Sequence, residues 1–564
     1  MESKELKFVH FNDVYHVPSA EKLSRFMQLK SSFMTDGALT VFSGDAFSPS
    51  LEASILKGEH MGPLLDFVGV DIACYGNHDF DFGDQRLIEL SNKVCFPWVL
   101  SNAWHLPLKE NEHPDTRLLG CAKSYVTKNV NGCRVGFFGL AGTDWPSNCE
   151  KLPHSHIECP VKTAQRMASH LRVRENCDLV IALTHMRLAE DMEVAEATKT
   201  GKSRVDLLLG GHDHEVVRRF NGDTDTDPAN VEQGHDNIDI TVEGLIRDAQ
   251  GDIRIIKSGT DWTGLSLVRM IIGKDEKGST NISTVVSQWS NIDTENPLVS
   301  TITPGINQLL DSIHNRVDDL VQEPVLHSYT LLDGRGSVVR SQETNLGNML
   351  ATAVQAFYNT DIALFNSGSI RCNQLLGPSI PGGSPLLIKD IITNDLDICP
   401  FENSLLVKRI KGSVIIHSME NSIGDMHMDG RFLQVAGLRM VATWQRKPEH
   451  RVLEIFLDRP GAAPQKLDPS RVYTVALPKF IGDGFDGYTS FPAEETIVDE
   501  ETAITDTGLM LQIFGQKAEE RCDDHELGIQ RAQAVTIVGT ASDGLPIVNP
   551  VVDGRIRFIE CPAL

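Results

Sequence analysis

The chain has 564 residues, 41% of them hydrophobic and 23% charged, which excludes fibres and disordered polymers and allows more than one core. Its 52 Lys and Arg face 77 Asp and Glu, a formal net charge of −25, so the surface repels nucleic-acid backbones and anionic membranes, and neither is an expected partner. A polyanionic small substrate would then need a local positive centre, supplied by a metal ion or by placed arginines.

The amino-terminal MESKELKFVHFND holds no apolar run of signal-peptide length, and no stretch approaches the ~20 apolar residues of a membrane span. LKFVHFND reads as a strand, SAEKLSRFMQLKSSF as an amphipathic helix and ALTVFSGD as a second strand. VDIACYGNHD, RVGFFGLAG, CDLVIALTH and VDLLLGGHDH continue the alternation to about residue 285, each apolar run closing on polar or small residues. Strands that are apolar nearly throughout belong inside a layered α/β fold whose sheets are covered on both faces. The closing residues then gather at strand ends, where such folds place their sites. The segment from Asn221 to Asn237 is acidic and non-periodic and reads as a surface loop.

Further on, PGINQLLDSIHNRVDDLVQ carries Ile306, Leu309, Leu310, Ile313, Val317, Leu320 and Val321 at helical spacing, as an interdomain helix would. A second α/β unit follows from about 326, with helix SQETNLGNMLATAVQAF, strand DIALFNSGS and later short strands. The expected domains are 1–290, a linker helix within 291–325, and 326–564. The 11 cysteines are odd in number and scattered, the pattern of reduced thiols in a cytoplasmic protein. The closing Cys561-Pro-Ala-Leu has the outline of a prenylation box, but proline suits its aliphatic slot poorly and no polybasic run precedes it, so an ordinary terminus is expected.

Five strand-end segments carry metal-ligand side chains: Asp13 in HFNDVYH, Asp45 in FSGDAF, Asn77, His78 and Asp79 in YGNHDFDFG, His185 in ALTHMR, and His212 and His214 in GGHDH. Each alone is a common turn or a satisfied histidine; the ordered set is far harder to obtain by chance. Two divalent ions roughly 3.5–4 Å apart need a shared ligand, and one bridging Asp supplies it. Mixed imidazole and carboxylate donors suit Mn, Zn, Fe or Co better than calcium. An extended GHDH segment would turn His212 and His214 to one face and Asp213 away.

These segments resemble the calcineurin-like metallophosphoesterase superfamily, in its 5′-nucleotidase and UDP-sugar hydrolase branch. The resemblance implies an α/β chain: an N-terminal four-layer αββα metallophosphoesterase domain, a linker helix and a C-terminal α/β substrate-binding domain. It implies that Asp45 bridges two divalent ions (Mn, Zn or similar), with Asp13 and His214 on the first and Asn77, His185 and His212 on the second. His78, oriented by Asp81, would stabilise charge on the phosphoryl group or the leaving group. The family usually writes Asp-x-His at the first motif, whereas Tyr15 follows Asp13 here. A phenol with a pKa near ~10 ligates as an anion only beside a strong Lewis acid. The expectation is that Tyr15 hydrogen-bonds near the site, that water completes the first ion's shell, and that this ion is labile.

The C-terminal half resembles the 5′-nucleotidase substrate domain through VVRSQETNLGN, LFNSGSIR, CPFEN, FLQVAG, LPKFIGDGFDGY and VDGRI. The resemblance implies that Phe401 and Phe480 stack on a nucleobase, Asn366 reads its edge, Asp486 accepts from the ribose, Arg340 and Arg371 hold the anionic portion, and Gly437 belongs to the substrate site. Ser369 and Glu402 stand where the family commonly has glycine. The implied reaction is hydrolysis of nucleoside 5′-monophosphates to nucleoside and phosphate by in-line attack of hydroxide generated at the metals. Nucleotide sugars, cyclic nucleotides or another phosphorylated metabolite are alternative substrates, and a nucleotide-binding protein with weakened catalysis is a third reading. Six retained ligand residues argue against that decay.

Overall fold

The computed structural model describes residues 4–34, 37–106, 117–149, 151–231, 237–238, 245–274, 280–290, 303–392, 398, 402–424, 430–459, 461–500, 502–515 and 524–560. It divides into two compact units, Met1–Asn315 and Arg316–Leu564.

In the first unit two sheets face each other. One runs, edge to edge, Asn237–Ile238, Leu245–Gly251, Thr280–Trp289, Leu265–Lys274, Lys4–Phe11, Leu39–Ser43, Ile72–Cys74 and Trp98–Val99. The other runs Val216–Phe220, Ile253–Ser258, Leu207–Gly211, Leu179–His185, Cys133–Ala141 and Val126–Val130. The Leu39–Ser43 and Ile72–Cys74 strands contact Leu179–His185 across the gap. Helices Pro160–Val173 and Leu188–Ala197 close the outer face of the second sheet, with Ala164, Ala168, Leu171 and Val194 in one core with Phe138, Val180 and Leu208. Helix Ala20–Phe33, capped by Ser19, whose side chain accepts from the Lys22 amide, lies against Leu265–Lys274 of the first sheet. Four layers, αββα, result, and the Leu179–His185 strand is buried at every residue, as its unbroken apolar run requires.

Register aligns the site. Parallel pairing sets Ser43 beside Cys74, and His185 beside both Gly211 and Ala141. The carboxyl ends of these strands therefore lie together, and the residues just beyond them share one region.

The second unit holds a five-stranded sheet ordered Leu433–Ala436, Ile362–Asn366, Val472–Pro478, Leu405–Lys411 and Glu495–Val498. Its core gathers Ile362, Leu364, Ile415, Met419, Leu433, Val475 and Phe491. The helix read from Ser341 starts at Asn345, because Thr344 takes the cap and accepts from the Gly347 amide. The periodic segment forms helix Ile306–Leu320, with Ile306, Leu310 and Ile313 buried. Among the described residues no helix is long and apolar enough to cross a membrane. Cys561 lies outside the described residues.

Candidate functional site

Four of the residues read as ligands adopt left-handed backbone: Asp13 (φ 53), Asp45 (φ 62), His212 (φ 82) and His214 (φ 61). Non-glycine residues hold that conformation only where surrounding contacts enforce it. The GHDH segment is thus not extended, as its alternation suggested; it turns immediately after the Leu207–Gly211 strand. Asp213 does leave the cluster, pairing with the Lys257 ammonium. At Gly76 a Cβ would stand 2.1 Å from Asp45 Oδ1, so only glycine lets the NHD loop come this close.

One ligand atom each from Asp13, Asp45 and His185 lies within 4.8 Å of the other two, and all three side chains are buried. The His185 Nδ1–H donates to the Ser43 carbonyl at 2.8 Å. Its Nε2 then stands 3.0 Å from Asp45 Oδ2 and 3.9 Å from Asp13 Oδ1, yet meets no partner in hydrogen-bond geometry. Carboxylate oxygens and an imidazole nitrogen buried this close together form a set that a cation would satisfy. Asn77 repeats the pattern: Nδ2 donates to the Asn148 carbonyl at 2.7 Å, while the buried Oδ1 has no hydrogen-bond partner among the described residues. His214 Nε2 lies 3.6 Å from Asp13 Oδ1, and the His212 ring sits 5.1 Å from that of His185. His78 donates its amide to Asp45 Oδ1 at 2.9 Å, and its Nδ1 meets Asp81 Oδ2 at 2.8 Å. All eight residues read from the first half come together, with a donor set that fits divalent transition ions.

Tyr15 reaches into this cluster. Its hydroxyl lies 2.6 Å from His214 Nε2, 3.2 Å from Asp13 Oδ1 and 3.4 Å from Asp45 Oδ2. The phenol thus approaches the space that the sequence reading gave to water. His16 turns elsewhere, its Nδ1 3.0 Å from Asp261 Oδ2.

Electrostatics favour a cation. Burial opposes charge on His185, but Asp45 and Asp13 outweigh it and lift the ring to about 10. Burial likewise raises Asp13, while at Asp45 it is overcome by His185 and His78, and the carboxyl is held low. Any cation entering the cluster meets the same field, and metal and protons compete for it.

Several supports stand behind these loops, and apart from Asp79, read in the NHD segment among the candidate ligands, they escaped the sequence reading. Asp79 accepts amide hydrogens from Asp45, Ala46, Phe47 and Gly76, tying two ligand loops together. Burial and the neighbouring Asp45 charge push it up to about 7. Buried Lys257 donates to the Met186 and Gly211 carbonyls and to Asp191, each at 2.7 Å, pinning the loops of His185 and His212. Asp144 receives His212 Nε2 at 3.0 Å. The only sequence signal for that residue is the polar run TDWPSN after a strand.

The second unit contains a cavity of about 440 Å³ lined by Arg340, Asn366, Gly368, Ser369, Arg371, Asn403, Gly430, Phe480 and Asp486. Five residues read for the substrate therefore meet in one cavity. Phe480 is 40% exposed, which a core phenylalanine is not, and stacks on exposed Phe485 at 5.0 Å and 15°. Ser369 donates to Asn366 Oδ1 at 3.0 Å and is itself 3.4 Å from Asn403 Nδ2, which also donates to Asp506 Oδ2 at 3.1 Å. This chain commits Asn366 Oδ1 and turns Nδ2 into the donor for a ligand. Gly437 is a correction. It is not among the lining residues but makes the left-handed link (φ 74) between two strands, with the Asp361 carbonyl 2.1 Å from where a Cβ would stand. Phe401 lies outside the described residues.

Comparison with known proteins agrees. Residues 6–216 match the calcineurin-like phosphoesterase family, and residues 324–493 match the 5′-nucleotidase C-terminal domain. The chain is 27% identical over 520 residues to the trifunctional nucleotide phosphoesterase protein YfkN of Bacillus subtilis (strain 168), an alignment spanning 86% of this chain and 32% of that protein. It is 23% identical over 541 residues to the 5′-nucleotidase of Homo sapiens, spanning 92% of this chain and 82% of that one. The fold is similar to that of the Haemophilus influenzae NAD nucleotidase, with a TM-score of 0.63 and 16% identity over 99% of both chains. With both halves matched, the chain belongs to the calcineurin-like phosphoesterases that carry a 5′-nucleotidase C-terminal domain, a family of metal-dependent hydrolases of phosphoric esters.

Proposed function

We propose that the chain is a 5′-nucleotidase, releasing phosphate from nucleoside 5′-monophosphates with two divalent ions such as Mn or Zn. The observation that carries this reading is the buried Asp13–Asp45–His185 cluster, whose ligand atoms lie within 4.8 Å of one another while His185 Nε2 has no hydrogen-bond partner among the described residues. In it Asp45 serves both ions, Asp13 and His214 the first, and Asn77, His185 and His212 the second. When bound, the ions would supply Lewis acidity, activating water and offsetting phosphoryl charge. The ring of His78, whose Nδ1–H is held by Asp81, would in its imidazolium form donate from Nε2 to the oxygen that gains charge. Residues 1–290 carry this chemistry, 326–564 choose the substrate, and 291–325 contain the connecting helix. In the cavity Phe480 stacks on the base, Asn366 donates to its edge, Asp486 accepts from the ribose, and Arg340 and Arg371 meet anionic oxygens.

A phosphate-release panel tests this reading: AMP, other monophosphates, UDP-glucose and bis-p-nitrophenyl phosphate, each with Mn, Zn or Mg. Release from monophosphates above the rest is the expected result, and release only from the diesters or from UDP-glucose would move the assignment to another phosphoesterase. Silence throughout with nucleoside binding retained would make it a binding protein. Tyr15, seated among the first ion's ligands, makes that ion the weaker one, so dialysis against a chelator should strip it first. Equal retention of both ions would refute that.

A further inference from the structure

The segment Asp144-Trp145-Pro146-Ser147-Asn148 leaves the Cys133–Ala141 strand and turns through a 3-10 helix at Trp145–Ser147. It has no metal-ligand spacing, yet it grips three residues carried by three other elements, two by the side chain and one by the backbone. The Asn148 carbonyl accepts from Asn77 Nδ2 at 2.7 Å, committing that amide to present Oδ1. The Trp145 Nε1–H donates to the backbone carbonyl of His185 at 2.9 Å, beside the Gly142 amide at the same distance. Asp144 Oδ2 accepts from His212 Nε2 at 3.0 Å, and the carboxylate is itself held by Asn148 Nδ2 at 2.9 Å and Arg187 Nε at 3.1 Å.

A carboxylate only accepts, so the His212 proton sits on Nε2 and Nδ1 keeps the lone pair that a cation needs. Trp145 is fully buried, with its ring 5.8 Å from that of Phe80 and 6.1 Å from that of His185, so the segment is anchored in the core. Asn77, His185 and His212 are the residues assigned above to the second ion and not the first. Asp13 is positioned from elsewhere, by Asn12, the His212 amide and Tyr15.

We propose that Asp144, Trp145 and Asn148 form one positioning cradle that sets the geometry, and with it the affinity, of the second metal ion alone. The proposal rests on the two-ion reading above. Chelated protein is titrated with Mn²⁺ by calorimetry, with electron paramagnetic resonance following bound Mn²⁺. Wild type is expected to show two binding events. Asp144→Asn and Trp145→Phe should each weaken one of them roughly ten- to a hundredfold, the range for residues that orient metal ligands. The other event should change by less than this, because Asp45 is the ligand the two ions share while Asp13 and His214 meet Tyr15 instead. Trp145→Phe removes the N–H together with part of the indole but keeps a buried aromatic ring, so it decides the matter if Asp144→Asn melts below wild type. Two events unchanged in both variants, or both weakened equally, would overturn the cradle. A wild type binding one ion ends the two-ion reading; the cradle then survives only if both variants weaken that single event. A wild type binding none overturns both.

Discussion

Asp13, Asp45, Asn77, His185 and His212 in the first unit have no exposed surface, whereas in the second unit Phe480 is 40% and Phe485 57% exposed beside an open cavity. The first group is held by converging strand ends, left-handed backbone and a shell of buried carboxylate, lysine and tryptophan contacts. The second hangs on turns, including the left-handed Asp486 (φ 53). The contrast follows from what each must handle. Charge that develops during ester cleavage is stabilised most by fixed groups in a low-dielectric site, where a small displacement is costly. A flat base is bound by ring faces and a few edge contacts, which tolerate solvent and adjustment.

Removing the shared ligand breaks the comparison most sharply. Asp45→Asn should take phosphate release to the level of metal-free protein while nucleoside affinity, measured by calorimetry, stays within about twofold. A parallel loss of both would show that the two units do not act separately. Next in size, His78→Ala should lower kcat by about 10²–10³ with little change in KM, as for loss of one charge-stabilising donor. A rise confined to KM would make His78 a binding residue.

The second unit should answer in the opposite coin. Phe480→Ala is expected to weaken nucleoside binding by about 1–3 kcal/mol, roughly five- to 150-fold in KM, with kcat nearly unchanged. An unchanged KM for AMP would remove the stacking assignment.

The smallest effect concerns stability. His60 is buried, neither ring nitrogen has a hydrogen-bond partner among the described residues, and burial lowers its pKa to about 4. Because the unfolded ring titrates near ~6.5, the unfolded chain binds more protons below that pH. The titration of His60 thus adds no destabilisation above that pH and destabilises progressively as pH falls toward about 4. His60→Leu should raise the denaturation midpoint of the first unit more at pH 5 than at pH 8, and a gain independent of pH would contradict this.

The layered first unit was legible because each buried strand is an unbroken apolar run ending in a polar residue, a pattern that survives without tertiary information. Asp45, His185 and His212 were legible for the same reason. The supports were not. Asp144 and Lys257 act on groups brought near only by folding, and Trp145 acts through a backbone carbonyl, which leaves no trace in residue type. The GHDH segment was misjudged because alternation implies extension, whereas the conformation of His212 and His214 is dictated by the amide contact to Asp13 and by Lys257 beneath. Gly437 was assigned to the ligand although the crowding there comes from the Asp361 carbonyl.

By itself the amino-acid order determined the alternation of buried strands and helices, the passage to a second α/β unit, and which side chains capable of holding metal or stacking on a ring close each run. Those are local properties, set by periodicity and residue chemistry. Only the tertiary structure decided that Asp13, Asp45 and His185 share one buried point, that Tyr15 leans among them, and that Asp144, Trp145 and Asn148 hold Asn77, His185 and His212 from behind. Those relations join residues up to 199 positions apart, as Tyr15 and His214 are, and such distances are fixed by how strands register and sheets face each other, not by any neighbouring residue.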